Sequence, residues 1–232
     1  LVLVARDKAR LEVLATRLRQ AFGVNVDVLQ ADLTQSADLA TVEARLREDA
    51  SIGILVNIAG AAQSGSFVEQ TPDSVAQLVS LNVTSLLRLS SAISPRLARA
   101  GQGAIINIGS VVGLAPEFGM TVYGATKAFV QFLSQGMSLE LGPQGVYVQA
   151  VLPAATRTEI WDRSGMDINT LNDIMEVGDL VDAALVGFDR REPVTIPPLH
   201  EGERWDALQA ARQGLLSQIK QSAVAQRYLV QS

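Results

Sequence analysis

The sequence predicts an α/β fold: a doubly wound parallel sheet in a three-layer α/β/α arrangement, built as a single domain. Two observations carry this. Short apolar runs of strand length alternate with longer stretches whose apolar residues recur at helical spacing. The 232 residues are enough to bury one sizeable core, and no repeat, low-complexity tract or linker divides them.

The elements follow in order. Leu1 to Ala5 is a continuous apolar run, the mark of a strand buried on both faces. Asp7 to Ala21 carries Leu11, Leu14 and Leu18 at helical spacing with charges between them. Val24 to Leu29 alternates like a strand. Ser36 to Asp49 returns to the helical period, with Leu39, Val42 and Leu46 on one face, and Ile52 to Val56 reads as another buried strand. Thr71-Pro72-Asp73 has the capping hydroxyl, first-turn proline and early acid of a helix start. That helix should run to about Ala100, where Gly101 and Gly103 stop it. Ala104 to Ile108 is a strand, Tyr123 to Leu141 a long helix ended by Gly142-Pro143, and Val146 to Leu152 the next strand. After a less regular stretch, Val181 to Phe188 is a helix, Pro193 to Ile196 a short strand, and Glu203 to Tyr228 a terminal helix.

Composition narrows the chemistry. A net charge of −5 argues against a nucleic-acid or anionic-membrane partner, both of which want a basic footprint. Local clusters such as Arg190-Arg191 read as a solvated face. There is no cysteine, so disulfides, thiolate catalysis and sulfur-ligated metals are excluded. The single histidine, His200, cannot build a multi-histidine zinc site and reads as a surface or structural residue, so no metal is expected. No apolar run approaches the ~20 residues of a membrane span; the longest, Ile52 to Ala62, is interrupted by Asn57 and glycines. Without cysteine or a visible targeting segment, a cytoplasmic protein is expected. The first residue is Leu1 rather than methionine, which leaves an upstream segment open.

In a sheet of this kind, ligands bind beyond the carboxyl ends of the strands. Asn57-Ile58-Ala59-Gly60 follows one strand and Asn107-Ile108-Gly109-Ser110 another. Thirteen residues after Ser110 stands Tyr123, in Tyr123-Gly124-Ala125-Thr126-Lys127. Spacing of four on a helix makes Tyr123 and Lys127 neighbours on one face. A free tyrosine, with a pKa of about 10, is a poor proton-transfer group at neutral pH. A nearby ammonium favours the phenolate and should lower that value. Ser110 would then hydrogen-bond the substrate oxygen, giving acid–base chemistry without a histidine.

Taken together, Tyr-x-x-x-Lys, the upstream Ser110, the Asn-Ile-Ala-Gly turn and Pro153-Ala154-Ala155-Thr156-Arg157-Thr158 resemble the short-chain dehydrogenase/reductase family, in order and over essentially the whole chain. Each motif alone recurs by chance; the ensemble is specific. The resemblance implies a Rossmann-type NAD(P)-binding domain and an oxidoreductase acting on a carbonyl or secondary alcohol. It makes Tyr123 the general acid/base, Lys127 the group that lowers its pKa and holds the cofactor ribose, and Ser110 the group that orients substrate. Asn82, in Leu81-Asn82-Val83, matches a fourth catalytic position and implies a water-mediated proton relay through Lys127; otherwise it is a helix-interior polar residue satisfied by its neighbours.

The resemblance also places the cofactor. Asp32, in Ala31-Asp32-Leu33, should bind near the adenine, with Asn57, Ala59 and Gly60 lining the adenine-ribose side. Thr158 should meet the nicotinamide carboxamide, with Pro153 and Thr156 in the same segment. Ile58 and Ala154 depart from the family pattern, replacing an asparagine and a glycine. Arg6 stands where the family chooses its cofactor: an acid there accepts bonds from the ribose hydroxyls of NAD, whereas an arginine pairs with the 2′-phosphate of NADP. NADP(H) is therefore expected over NAD(H), with the adjacent Asp7 pulling the other way.

The family's glycine-rich phosphate loop has no counterpart in this sequence. The absent first strand would lie between the strands at Leu1 to Ala5 and Ile52 to Val56, and its loss would leave two apolar edges open. The expectation is a shortfall of roughly 25–35 residues, one strand–helix unit.

Specificity should lie in Glu159 to Glu176, with Ile160, Trp161, Met166, Ile168, Leu171, Ile174 and Met175. These apolar residues suit a hydrophobic substrate or plain packing. Glu117, Phe118 and Met120 should reach the substrate side too. A steroid, a sugar, a short ketone and a thioester-linked keto acid all stay open. Phe129, Phe132, Leu133, Met137 and Leu141 give the Tyr123 helix more apolar surface than one core face needs, and family members pair this helix and the Asn82 helix across a two-fold axis. A homodimer or homotetramer is expected. Two alternatives to the oxidoreductase stand: a catalytically silent NADP(H)-binding sensor or scaffold, and an epimerase or dehydratase.

Overall fold

The computed structural model describes residues 1–161 and 173–229. The chain falls into two compact units, Leu1–Pro197 and Pro198–Ser232. Among the described residues, the first holds six parallel strands in two sheets. One pairs β1 (Val2–Ala5) with β2 (Asp27–Gln30); the other has the order β3 (Ile54–Asn57), β4 (Ala104–Ile108), β5 (Tyr147–Val151), β6 (Val194–Thr195).

The helices start and stop where local chemistry dictates. In α1 (Lys8–Phe22) the Asp7 carboxylate caps Arg10 N at 3.0 Å, and Gly23 closes the helix in the left-handed region at φ 63°. Helix α2 (Ser36–Glu48) buries Leu39, Val42 and Leu46. A single helical rod follows: α3 (Pro72–Val79), a π turn over Ser80–Ser85, and α4 (Leu86–Ala100), begun by Thr71 and ended by Gly101 at φ 65°. Helix α5 spans Thr121–Leu141 and α6 spans Val177–Asp189.

One face of both sheets is covered continuously. Val4, Leu29, Leu55, Ile105 and Val148, one from each of β1 to β5, pack with Leu39, Val42 and Leu46 of α2, Leu89, Ile93 and Leu97 of α4, and Met137 and Leu141 of α5. This apolar layer, rather than a backbone ladder, joins the two sheets. A buried Glu43 on α2 reinforces it through Arg88 of α4 at 2.5 Å. On the opposite face α1 lies against β1 and β2, and α6 against β6.

Three expectations are corrected here. The strands at Leu1–Ala5 and Ile52–Val56 are not buried on both faces: β1 is only partly buried, and Ile54 and Val56 of β3 are 50% and 44% exposed. Among the described residues neither β1 nor β3 has a second neighbour, so each is an edge. The terminal helix, expected to reach Tyr228, ends at Ile219 in α7 (Gly202–Ile219). No residue of α7 is buried, and a helix without a packed face has little to extend it. Arg190-Arg191 is likewise more than a solvated face, because Arg191 stacks over the Tyr147 and Phe188 rings at 4.9 and 5.5 Å. His200 is exposed.

Candidate active site

The side chains gather where β3, β4 and β5 end. Ser110 follows β4 in extended conformation, φ −169°, and its turn is stitched to β5 by Gly109 N to Val151 O (2.8 Å) and Val111 N to Pro153 O (3.0 Å). Its hydroxyl donates to Pro153 O at 3.3 Å and accepts from Val112 N at 3.2 Å. It also acts on the Tyr123 phenol, favouring the phenolate. Helix α5 begins after Met120, a non-glycine residue in the left-handed region (φ 53°, ψ 47°). Holding it there costs roughly 1 kcal/mol, and strain of this kind collects at functional sites.

Lys127, one turn after Tyr123, is 7% exposed. Its ammonium donates to Ile108 O at 2.9 Å and lies 5.7 Å from the Tyr123 ring centroid. Asn82 sits in the π turn, 2% exposed. It accepts from Ala61 N at 2.9 Å, donates to Ala61 O at 2.9 Å, and donates to Thr126 Oγ1 at 3.1 Å. The Asn82 amide thus ties the turn after β3 to the helix bearing Tyr123. Gly60 faces the same point: a Cβ there would lie 3.4 Å from Asn82 Oδ1 and 3.7 Å from Lys127 Nζ. The structure therefore brings Asn82, Ser110, Tyr123, Lys127 and Gly60 together.

Burial dominates the electrostatics. It pushes the Tyr123 phenol above its ordinary value, an effect Ser110 partly offsets. Burial also pushes Lys127 down to about 8. The expected lowering of Tyr123 by Lys127 is not what this chain shows on its own. The ammonium bonds Ile108 O, and burial makes it give up its proton at about 8, so it is neutral in the range where the phenol titrates.

The other expected residues divide. Arg6 is exposed at the end of β1 and acts electrostatically on Asp32. Asp7, the competing acid, is committed to α1 as the cap and an Arg10 partner at 3.5 Å. Asp32 is held below the usual carboxylate range by Thr34, whose hydroxyl and N–H donate at 2.7 and 2.9 Å; Leu33 beside it is 9% exposed. Asn57 turns its side chain inward, donating to Asn107 Oδ1 at 2.8 Å and Ser90 Oγ at 3.1 Å, so only its main chain is left to line the cleft with Ala59. Pro153 and Thr156 are buried beside Ser110's turn, and Thr158 is exposed. Trp161 donates to Thr156 O at 2.7 Å, and backbone bonds between Arg157 and Met175 and between Met175 and Ala155, both 2.9 Å, draw the two ends of the specificity segment together. Met166, Ile168 and Leu171 lie outside the described residues.

Sequence reasoning missed Thr126, Asn107, Ser90 and Ser134. Thr126 receives the Asn82 amide, while Asn107 passes the Asn57 bond on to Ser134 Oγ of α5 at 2.9 Å. Among the described residues no group of three or more His, Asp or Glu side chains could hold a metal ion, and no helix is long and apolar enough to cross a membrane.

A family model described as short chain dehydrogenase matches residues 1–169. The chain is similar to the very-long-chain 3-oxoacyl-CoA reductase of Bos taurus, with 30% identity over 174 residues, 70% of this chain and 55% of that protein. The protein of the same name from Anas platyrhynchos is 29% identical over 162 residues, 68% and 52% of the two chains. The chain thus spans about half the length of these curated relatives. Among solved structures it is similar to a short-chain dehydrogenase from Sphingobium yanoikuyae in complex with NADPH: 68% identity, 98% of this chain, 89% of that chain, TM-score 0.97. It is also similar to the bulky-bulky ketone specific alcohol dehydrogenase from Comamonas testosteroni: 62% identity, 99% of this chain, 88% of that chain, TM-score 0.91.

Proposed function

Because the chain belongs to the short-chain dehydrogenase/reductase family, we propose that it is an NADP(H)-dependent oxidoreductase interconverting a ketone and a secondary alcohol, with Tyr123 as general acid/base. The observation that carries this reading is the meeting of Ser110, Tyr123 and Lys127 at the carboxyl ends of the strands, with the Lys127 ammonium 5.7 Å from the Tyr123 ring centroid and bonded to Ile108 O of β4. In reduction the phenol gives its proton to the carbonyl oxygen while Ser110 holds that oxygen. Bound NADPH supplies the hydride.

The residues present fit the ribose and nicotinamide half of that cofactor. Gly60 leaves open the space a Cβ would fill beside Lys127 Nζ, and Lys127 offers its donors there. Arg6, freed of Asp7, is the residue for a 2′-phosphate. Asp32, Leu33, Asn57, Ala59, Pro153, Thr156 and Thr158 complete the proposed lining. None of these residues is assigned to the pyrophosphate. A relay through Lys127 fits this arrangement, with Asn82 contributing its main chain because its side-chain amide already holds Ala61 and Thr126.

Likeness to a dehydrogenase specific for ketones flanked by two bulky groups points to the same substrate class. The test is steady-state reduction of a diaryl ketone with NADPH and NADH. NADPH should be preferred, and Arg6→Asp should turn the preference towards NADH by roughly tenfold or more, since about 1.4 kcal/mol is tenfold. An unchanged preference removes Arg6 from the reading; no turnover of any bulky ketone removes the substrate class.

We further propose a homodimer or homotetramer joined through α4 and α5. Phe132 and Leu139 are each 79% exposed on α5, and Leu87 is 40% exposed on α4. Phe132→Asp should move the mass by light scattering towards the monomer. A monomeric wild type would end this proposal.

A further inference from the structure

We infer that Gly113 is a positioning residue: its missing side chain lets the turn that carries Ser110 lie directly on the backbone of α5, and this contact sets the spacing between the Ser110 and Tyr123 hydroxyls. The inference rests on the ketone-reductase reading for its catalytic consequence, but the spacing itself can be tested without it.

Gly113 closes the short turn Val111–Gly113, its N–H donating to Ser110 O at 3.1 Å. It is not among the positive-φ glycines, so its own backbone would accept alanine. The neighbour would not. A Cβ at Gly113 would stand 2.6 Å from Ala128 N, 2.7 Å from Lys127 C and 3.0 Å from Lys127 O. All three are main-chain atoms inside a helix, so no rotamer change relieves the clash. Restoring ordinary contact at about 3.5 Å requires the turn or the helix to move by roughly 1 Å.

A second glycine guards the same junction from the helix side. A Cβ at Gly124 would meet Val112 O at 3.2 Å and Val112 Cγ1 at 3.4 Å. By contrast, a Cβ at Gly136, farther along α5, meets nothing within 4 Å. Of the two glycines in α5, only the one beside Tyr123 is closely approached. Ser110 is three residues before Gly113 and Tyr123 four before Lys127, so a wedge at this junction opens between the two hydroxyls. Ser110 also offsets part of the upward push that burial exerts on Tyr123, which gives the spacing a spectroscopic signature.

The experiment compares Gly113→Ala, Gly124→Ala and Gly136→Ala in the full chain, labelled with tyrosine ¹³C at Cζ and free of nucleotide. Tyr147 and Tyr228 serve as internal references, and Tyr123→Phe assigns the third signal. In Gly113→Ala the Tyr123 resonance should move and its titration shift to higher pH, less so in Gly124→Ala and not in Gly136→Ala, while both references stay fixed. With NADPH and a bulky ketone, kcat should fall roughly 100-fold in Gly113→Ala with KM within about threefold, the pattern of a misplaced reacting group. An unmoved Tyr123 signal with wild-type kcat overturns the inference, as does a shift of all three tyrosines together, which marks general loosening. If Gly113→Ala does not fold, Gly124→Ala decides: folded, with an unmoved Tyr123 signal, it overturns the inference. If the wild type reduces no ketone, the functional reading fails while the resonance still decides the spacing.

Discussion

Tyr123→Phe should lose carbonyl reduction by about 10²–10⁴-fold in kcat, the range for removing a general acid, while keeping its fold and its affinity for NADPH. The change takes away one oxygen and leaves the ring. Tyr123 is largely buried between the Ser110 turn and its own helix, and phenylalanine fills that space. Ser110 keeps two partners, Pro153 O and Val112 N, so its hydroxyl is not stranded. The melting temperature should therefore stay within about 3 °C of wild type, the scale of 1 kcal/mol in a chain of this size. Burial holds the wild-type phenol above its ordinary value, so it stays protonated across the neutral range. Reduction, which needs the phenol and the Lys127 ammonium, should be flat at neutral pH, below the value of about 8 at which Lys127 loses its proton. It should fall only at higher pH, while the reverse oxidation, which needs the phenolate, should rise in the alkaline range. A Tyr123→Phe enzyme that still turns over at more than a tenth of the wild-type rate would remove Tyr123 from the chemistry.

The parts of this site that could be read from the sequence were those whose chemistry is carried by a side chain at a short, fixed interval. Tyr123 and Lys127 are legible because helical geometry puts four residues on one face. Ser110 is legible because a strand ends just before it. Thr126 was hidden because its role comes from Asn82, 44 residues away, and Asn107 because its partners lie 50 and 27 residues away on β3 and α5. The π turn at Ser80–Ser85 has the composition of an ordinary helix, so nothing local announces it. Gly113 was hidden for the opposite reason: its signal is an absent side chain, which acquires meaning only when Lys127 and Ala128 are seen against it. The alternation of strands and helices gave the layered fold, since burial imposes the period. The apolar runs alone did not show that β1 and β3 are edges, because such a run looks the same whether one neighbour or two lie beside it; the open edges were expected only through the resemblance, from the strand missing between them.

Lys127→Met separates what the fold needs from what the chemistry needs. Burial pushes Lys127 from 10.5 down to about 8, a free-energy difference of about 3 kcal/mol against the charged form. At pH 7 the wild type carries that charge and bears most of the cost. Methionine removes it with little change of volume, though Ile108 O loses its donor, which returns about 1 kcal/mol. The variant should be more stable at pH 7 by about 1–2 kcal/mol in denaturant titration. The pH dependence supplies the sign check. Between pH 8 and 10.5 the unfolded wild type holds more protons on Lys127 than the folded protein does, so wild-type stability rises with pH through that window. The stability contribution is present above the unfolded value and lost as pH falls through the folded one. The advantage of Lys127→Met should therefore be greatest at neutral pH and shrink towards pH 10.5. Activity should move the other way, falling by about 10²-fold or more, because the variant has no ammonium to hold the ribose or relay a proton. A variant less stable than wild type at pH 7 would mean that the ammonium is better compensated than its burial implies. A more stable and inactive one would show a chain that retains a destabilising charge where only the chemistry needs it.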